Sequence, residues 1–277
     1  MPSAQSLRLE ALRAAARDIP NTPGVYVFHG ADDGLPLYIG KSVTLRSRVL
    51  AHLRNPSERR LLRRAERVSW ERTAGEIGAL LLEARWIKER HPLLNKRLRS
   101  KGRLCALRLD GRGRPQVVYA QEVDFAREPA LYGLFHSRTT ALAKLEEIAD
   151  AERLCHGALG LERLPKGRPC FRSLVRRCAG VCRGDESPEA HADRLVNALE
   201  SLSVRCWPWP GAVAVHEQHE DLVQYHVVRN WCYLGSAADL AGARSLDRVD
   251  ASFDADSYKI LCRPLLEPGR EILTLHD

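Results

Sequence analysis

The sequence predicts an α+β protein. A small antiparallel sheet with flanking helices comes first, a cysteine-rich and mostly helical middle follows, and the C-terminal region is mixed. Two short apolar runs, 25–28 and 37–39, are typical of strands, and the turn between them is rich in Gly, Asp and Pro. The pattern over 75–90 predicts a longer helix, which Pro92 stops. Short strands mixed with helices in one segment indicate an α+β domain.

The other elements of this first segment follow in order along the chain. An opening helix over 6–17 ends before Pro20 and Pro23, which enforce extended backbone. The strand pair is followed by two helices, a third strand and the helix over 75–90. Together these elements form a ββααβα unit. These three elements are predicted over 45–53, 57–66 and 68–72.

Beyond residue 100 the pattern predicts fewer elements. A hairpin over 104–123 turns at 110–113, and helices follow over 138–153 and 188–202. A second hairpin is indicated over 213–228, and the remainder is weakly patterned. The sequence has no internal repeat and no low-complexity linker, so tight domain boundaries are expected. The predicted domains are residues 20–100, 101–204 and 205–277.

Composition describes an ordinary globular chain with a basic charge. The 277 residues suffice for one large domain or two ordinary ones, and 44% are hydrophobic. No apolar run approaches the roughly 20 residues that cross a membrane, and charges interrupt the N-terminal helix, so we expect a cytoplasmic protein without a signal peptide. The net charge of +8 favours a polyanionic partner. The abundance of Arg over Lys also fits a GC-rich genome.

Glu83 is the residue with the strongest physical argument for function. On the predicted helix its neighbours three and four positions away are Ala79, Leu80, Trp86 and Ile87. A carboxylate in that apolar stripe is costly to bury without compensation. Mg²⁺, which proteins often hold through one or two carboxylates, provides such compensation, and so does an ion pair with an arginine.

A constellation of residues surrounds Glu83 in the first hundred positions. It consists of Gly24-Val25-Tyr26, Tyr38-Ile39-Gly40-Lys41, Arg48, Glu83 and Asn95. Singly, each has a structural explanation: Tyr26 and Tyr38 suit the core of short strands, and Gly40 permits a tight strand exit. In this order and spacing the set resembles the GIY-YIG endonucleases, and more narrowly the nuclease domain of the UvrC excinucleases and their short Cho-type relatives.

The resemblance implies a role for each catalytic residue. Glu83 matches the family glutamate that binds a divalent cation, Mg²⁺ or Mn²⁺, and Arg48 matches the arginine that contacts the scissile phosphate. Asn95 matches the asparagine that supports the site. Tyrosine is a poor base at its ordinary pKa of about 10, and Lys41 with a nearby metal would favour the phenolate. Whether Tyr26 or Tyr38 takes the proton of the attacking water stays open.

Two basic runs bracket this constellation and predict a duplex lying across it. The first run lies in a predicted helical stretch that includes Arg46 and Arg54, and the second run follows Asn95. Either run alone is more simply explained as a charged surface that faces solvent. The residues that we expect to bind DNA are Arg46, Arg54, Lys96, Arg97 and Arg99.

The resemblance covers nearly the whole chain and implies a function. The UvrC-like part ends near residue 200, and the segment Cys206-Trp207-Pro208-Trp209 belongs to the Cho-type region, whose role is unknown. A second nuclease domain, a helix-hairpin-helix pair and a UvrC-type UvrB-binding segment are not evident. One active site predicts one cut. The resemblance implies that this cut belongs to nucleotide excision repair and falls on the 3′ side of a lesion, in DNA already loaded with UvrB.

Two other functions remain open at this point. A stand-alone, site-selective GIY-YIG nuclease would need a recognition module, for which the cysteine-rich region and the C-terminal third are the candidates. A non-catalytic DNA-binding scaffold is the other alternative. The complete set of catalytic residues argues against it, since a decayed site should have lost members.

The chain contains eight cysteines. Because we expect it to be cytosolic, where thiols are kept reduced, disulfides are the less favoured use of them. Four are scattered in apolar contexts and are predicted to be buried thiols: Cys105, Cys206, Cys232 and Cys262. The other four cluster and resemble the cysteine-rich region of UvrC, which implies a [4Fe–4S] cluster. The last three have the same spacing as in UvrC, whereas the loop between the first two is longer here. Zinc and free thiols are the alternatives. The candidate ligands are Cys155, Cys170, Cys178 and Cys182.

Overall fold

Three antiparallel strands form the sheet of the N-terminal part of the chain. The computed structural model describes residues 4–31, 34–95, 103–164, 168–247, 252–269 and 271–275. The strands are β1 (Gly24–His29), β2 (Tyr38–Ser42) and β3 (Arg67–Arg72). They pair in the order β2-β1-β3, so β1 is central and β2 is an edge strand. The predicted antiparallel sheet of the α+β domain is confirmed.

Four helices flank this sheet. They are α1 (Ala4–Arg17), α2 (Leu45–Arg54), α3 (Arg59–Leu62) and α4 (Glu76–Arg90). The helix predicted over 57–66 is wrong in its bounds, because a 3₁₀ turn over Pro56–Glu58 precedes a single helical turn. The Glu66 N–H then bonds to His29 O at 2.9 Å, which ends the helical path before β3.

The two faces of the sheet bury different sets of side chains. Tyr26 and Phe28 alternate with Val25 and Val27 along β1, as the period of two along a strand requires. The aromatic pair packs with α1 and α2, whereas the valine pair packs against Trp86 and its neighbours on α4. The long helix α4 therefore packs over β1 and β2 on one face of the sheet.

Residues Lys101–Trp207 form a separate unit of the chain. Its sheet has the order β5-β4-β6 and combines the predicted hairpin with a third strand that the sequence pattern did not indicate. Asp110 Oδ1 accepts hydrogen bonds from the Arg112 and Arg114 N–H groups at the hairpin turn. The elements are β4 (Cys105–Leu109), β5 (Pro115–Tyr119), β6 (Leu131–Phe135), α5 (Arg138–Ala151), α6 (His156–Leu159), α7 (Phe171–Leu174) and α8 (Pro188–Leu199).

The C-terminal residues Pro208–Asp277 belong to the same unit as Met1–Ser100. They form a four-stranded antiparallel sheet, order β10-β7-β8-β9, with two helices. The hairpin predicted over 213–228 is present, and the elements after it lacked a readable pattern. The elements are β7 (Val213–His219), β8 (Leu222–Arg229), β9 (Cys232–Ala237), α9 (Leu240–Leu246), α10 (Ala255–Leu266) and β10 (Ile272–Thr274). No helix in the described ranges is long and apolar enough to span a membrane.

The start of α4 is capped by a side chain from β7. Glu217 accepts hydrogen bonds from the Ile77 N–H at 3.1 Å and the Gly78 N–H at 2.8 Å, two donors that lack partners within the helix. His226, which is fully buried, contributes Nε2 at 3.0 Å from the same carboxylate. Burial opposes ionisation of Glu217, yet the hydrogen bonds of His226, Gly78 and Ile77 lower the pKa of its carboxyl.

We expect Gly78→Ala to destabilise the protein. A Cβ at Gly78 would lie 2.6 Å from Cε1 of His226, whose ring is fixed by hydrogen bonds on both nitrogens. Overpacking of this kind costs about 1–3 kcal/mol, against a gain of about 1 kcal/mol from replacing a helical glycine by alanine. Urea unfolding followed by circular dichroism measures the difference.

Gly30→Ala is the matched control, because the nearest atom to its new Cβ is 3.6 Å away, an ordinary contact. A Gly78→Ala protein as stable as the Gly30→Ala protein would contradict the close packing of β7 and β8 against α4.

Candidate active site

Glu83 lies on α4 where the helix passes the edge strand β2. Its Oε1 accepts a hydrogen bond from the backbone N–H of Lys41 at 3.1 Å. Burial raises the pKa of the Glu83 carboxyl, opposed by that N–H and by the charges of Lys41 and Arg48. Among the described residues no arginine forms an ion pair with Glu83. The ionised carboxylate is therefore under-compensated, which suits a cation site.

Tyr26 is buried in the central strand and is hydrogen-bonded to a histidine. Its hydroxyl lies 2.7 Å from Nε2 of His52, and Nδ1 of His52 lies 3.3 Å from Oε1 of Glu58. If Nδ1 carries the proton toward Glu58, Nε2 accepts the hydrogen bond of the tyrosine. Burial lowers the pKa of His52 although Glu58 opposes the shift, so the neutral ring is favoured.

Gly40 makes room for this tyrosine. It is the register partner of Tyr26 on β2, and a Cβ at Gly40 would lie 2.4 Å from the Tyr26 hydroxyl oxygen. Any other residue would displace the ring. Gly40 is thus required by close packing against Tyr26.

Tyr38 is half-buried beside the same cluster. Its ring centroid lies 6.3 Å from that of Tyr26 and 5.6 Å from that of His52. Burial and then the charge of Glu83 raise the pKa of Tyr38, with Arg48 opposing. Burial also raises the pKa of Tyr26, with Tyr38 as the next cause. Both shifts favour the neutral phenols, so the phenolate expected from Lys41 together with a nearby metal depends on the positive charge of that metal.

Lys41 and Asn95 make structural contacts around the site. The Lys41 ammonium pairs with Oε1 of Glu76 at 2.6 Å, at the start of α4. The Asn95 side chain is buried and forms two hydrogen bonds with Ile39: Oδ1 accepts its N–H at 3.0 Å and Nδ2 donates to its carbonyl at 2.8 Å. Asn95 therefore pairs with the free edge of β2 as another strand would.

The residues expected to bind DNA lie partly within the described ranges. Arg46 and Arg54 are exposed on α2, and Arg46 Nε donates to Ile19 O at 2.7 Å. Three others lie outside the described residues: Lys96, Arg97 and Arg99.

Four thiols converge in the middle unit. Sγ of Cys170 lies 3.6 Å from Sγ of Cys155 and 3.7 Å from Sγ of Cys178, and Sγ of Cys182 accepts the Cys170 N–H at 3.4 Å. A tetrahedral ion with 2.3 Å bonds to sulfur separates its ligands by about 3.8 Å. The Sγ atoms of Cys155, Cys170 and Cys182 lie within 4.8 Å of one another, so these three thiols fit one metal ion as they stand. A four-iron cluster needs its sulfur ligands further apart.

The remaining cysteines only partly match the prediction of buried thiols. Cys105 is buried, and Cys232 and Cys262 are half-buried. The prediction is wrong for Cys206, which is exposed with its thiol against backbone carbonyls of residues 127 and 128. Its apolar neighbours in the sequence do not pack over it.

Sequence reasoning missed two contacts that shape the site. His52 lies two helical turns from Leu45 among arginines, and only its position four residues after Arg48, on the same face of α2, offered a signal. Glu217 is 139 residues from Gly78 in the sequence, and nothing local marked it as a helix cap.

Comparison with known families matches three consecutive parts of the chain. Residues 22–96 match the UvrC-like GIY-YIG domain, and residues 104–201 match the middle domain of UvrC/Cho excinucleases. Residues 212–277 match the C-terminal domain of excinuclease Cho. The three matches follow one another in the order of the structural elements.

Individual relatives are similar over most of the chain. "Excinuclease cho" of Escherichia coli K12 is 58% identical over 266 residues, 96% of this chain and 90% of the relative. "UvrABC system protein C" of Caldicellulosiruptor saccharolyticus is 31% identical over 201 residues, 69% of this chain and 33% of the relative. A crystal structure of the GIY-YIG domain of UvrC from Thermotoga maritima bound to magnesium is 33% identical over 31% of this chain and 97% of that chain, with a TM-score of 0.29.

We expect His52→Phe to reduce stability and to remove one source of acid sensitivity. The substitution leaves the buried Tyr26 hydroxyl without its acceptor, at a cost of about 1–3 kcal/mol near neutral pH. Because the folded-state pKa of His52 is lowered, its contribution is present above its ordinary pKa of about 6.5 and is lost as pH falls below it. Urea unfolding across that range measures both effects.

His136→Phe serves as the control, since His136 is exposed. If the His52→Phe protein keeps the full acid dependence of the wild type, protonation of His52 is not its source.

Proposed function

The chain belongs to the excinuclease Cho family, and we propose that it makes the 3′ incision beside a lesion in nucleotide excision repair, on DNA loaded with UvrB. It is a GIY-YIG endonuclease related to UvrC. One observation supports the nuclease chemistry of this proposal: the under-compensated carboxylate of Glu83 shares a cavity with Tyr38 and Asn95. The 3′ side and UvrB are inferred from the family alone.

We propose Glu83 as the ligand of a catalytic Mg²⁺ or Mn²⁺. One carboxylate oxygen is bonded to the Lys41 N–H, and the other makes no hydrogen bond to any described residue. A single protein carboxylate suffices for Mg²⁺, whose shell is completed by water and substrate phosphate. A cation bound here neutralises charge on the phosphate and its leaving oxygen.

Tyr38 is our candidate for the group that takes the proton of the attacking water. It is half-buried and lines the cavity with Glu83, whereas the Tyr26 hydroxyl is buried and bonded to His52. The negative charge of Glu83 is the second cause that raises the pKa of Tyr38. Neutralising that charge lowers the Tyr38 pKa toward the range where the phenolate forms.

The other residues orient the reacting groups. Arg48 is exposed on α2, on the Tyr26 side of the sheet, where a guanidinium stabilises the negative charge that develops on the phosphate. Asn95 fixes the edge of β2 at Ile39, and the Lys41–Glu76 pair joins β2 to the start of α4. The rings of Tyr26 and His52 pack against the ring of Tyr38. The duplex is proposed to contact Arg46, Arg54, Lys96, Arg97 and Arg99.

The four clustered thiols are proposed to bind a [4Fe–4S] cluster. An all-thiolate donor set suits an iron–sulfur cluster or zinc. Cluster binding then requires the loops that carry Cys155 and Cys178 to separate from their spacings of 3.6 and 3.7 Å to Cys170. The cluster is structural or DNA-sensing in this proposal, since phosphodiester hydrolysis transfers no electrons.

The function is tested by strand-resolved cleavage of a lesion-bearing duplex with Mg²⁺, with and without UvrB. We expect a single cut on the 3′ side that needs both the lesion and UvrB. Glu83→Gln should slow it by at least about 10³-fold, because several kcal/mol of charge stabilisation are lost, and should leave DNA binding intact. Glu89→Gln removes the same charge from an exposed position of α4 and should cut normally.

Two results would contradict this assignment. Sequence-selective cutting of undamaged DNA without UvrB would favour the stand-alone nuclease. Mg²⁺-dependent cutting by Glu83→Gln at the wild-type rate would remove Glu83 as the metal ligand.

For the cysteines, we expect anaerobically purified protein to contain iron and acid-labile sulfide in equal amounts, with visible charge-transfer absorption. Cys170→Ala should lose both, since Cys170 contacts the other thiols. The exposed Cys206 lies outside the cluster, so Cys206→Ala should retain them. If the protein contains one zinc per chain and no sulfide, the four cysteines form a zinc site and the cluster assignment is wrong. If it contains neither iron nor zinc, the cysteines are free thiols.

A further inference from the structure

Helix α10 of the C-terminal region is attached to the helix that carries Glu83. Lys88, near the end of α4, pairs with Oδ1 of Asp254 at 2.6 Å and with Oδ2 of Asp256 at 2.9 Å. Asp254 also caps the start of α10, where it accepts the Ser257 N–H at 3.1 Å. These contacts hold α10 against α4 at the level of the active site.

The two helices line an open cavity of about 440 Å³ next to the candidate metal ligand. The catalytic constellation forms one side, and the C-terminal region forms the other. The residues that carry the argument are Glu83, Tyr38 and Asn95 on the first side, and Asp256, Lys259 and Ile260 on the second. The C-terminal region therefore contributes a wall to the active site.

The chemistry of this cavity fits one unit of a nucleic acid strand. Its volume lies in the range of small-molecule sites, roughly 300–1,000 Å³. Apolar side chains such as Ile87 and Ile260 line much of it, and these suit the faces of a base or a deoxyribose. A lysine at its rim suits a phosphate.

Lys259 is the cation available for that phosphate. Its side chain is exposed, and its ammonium makes no ion pair within the part of the chain that the structure describes. Asp256, the acidic residue on the same wall, is already paired with Lys88. Lys88 is shared with Asp254, so it does not offset both carboxylates, and Lys259 is the cationic side chain with which α10 lines the cavity.

We propose that Lys259 binds the phosphate adjacent to the scissile one, and that the cavity holds the nucleoside between them. The proposal rests on the proposed nuclease function, because it takes the scissile phosphate to lie at Glu83. It gives the C-terminal region a direct part in substrate binding: the strand to be cut passes between α4 and α10.

The test compares DNA binding and cleavage by Lys259→Ala with a matched control on the same helix. Arg263→Ala removes an equal charge one turn further along α10, at a residue whose side chain is 87% exposed and pairs with Glu267. Loss of one phosphate contact should weaken binding about tenfold at about 0.1 M salt and reduce the slope of log K against log salt by about one. Arg263→Ala should change binding by less than about twofold, and Lys259→Arg should restore it.

A second variant tests the cavity itself. Ile260→Trp adds volume to the wall without changing charge, and we expect it to raise KM while the salt slope stays that of the wild type. Circular dichroism and thermal unfolding show whether each variant is folded.

The binding experiment is done in the Glu83→Gln background, so it does not depend on cleavage. Equal affinities and slopes for Lys259→Ala and Arg263→Ala would overturn the proposal even if the wild type cuts as expected. Conversely, a wild type that binds through Lys259 but makes no lesion-dependent cut would count against the repair function and leave the Lys259 contact standing.

Discussion

The outer edge of β2 is the constraint on which the active site depends. An edge strand exposes N–H and C=O groups that need partners when they are covered. Here the partners come from α4 and the segment after it: Leu94 N–H bonds to Leu37 O at 2.8 Å, Asn95 bonds to both groups of Ile39, and Glu83 accepts the Lys41 N–H. The carboxylate and the amide are thus placed by the hydrogen-bonding needs of the backbone.

This arrangement explains how a carboxylate can remain in an apolar setting although it forms no ion pair with an arginine among the described residues. One oxygen of Glu83 is satisfied by the backbone of β2, which holds the side chain in one position. The free-energy cost of burying the ionised carboxylate is only partly offset, and for this reason the pKa of the Glu83 carboxyl is raised. A site with an excess of uncompensated negative charge binds a cation more strongly than a site neutralised by a fixed guanidinium.

The elements of this structure that are determined by residues close together in the sequence could be predicted from it. The strands of the first sheet, the helix α4 and the unusual place of Glu83 in its apolar stripe follow from local periodicity and turn residues. His52 and Glu217 could not, because each matters through a contact made only after folding: 26 residues separate His52 from Tyr26, and 139 separate Glu217 from Gly78. Helix α10 could not be predicted either, because it contains Pro264 in its last turn and proline ordinarily argues against a helix interior.

These distant contacts connect the C-terminal region to the chemistry of the nuclease site through α4. Glu217 fixes the first turn of the helix, and Asp254 and Asp256 bind Lys88 near its last turn, so the C-terminal region contacts both ends of α4. Glu83 lies between them, and its hydrogen bond of 3.1 Å to the Lys41 N–H adds to the packing of α4 against β1 and β2. A small rotation or shift of α4 would break that bond. The C-terminal region is accordingly a structural part of the active site, because it determines where the helix that carries Glu83 can lie.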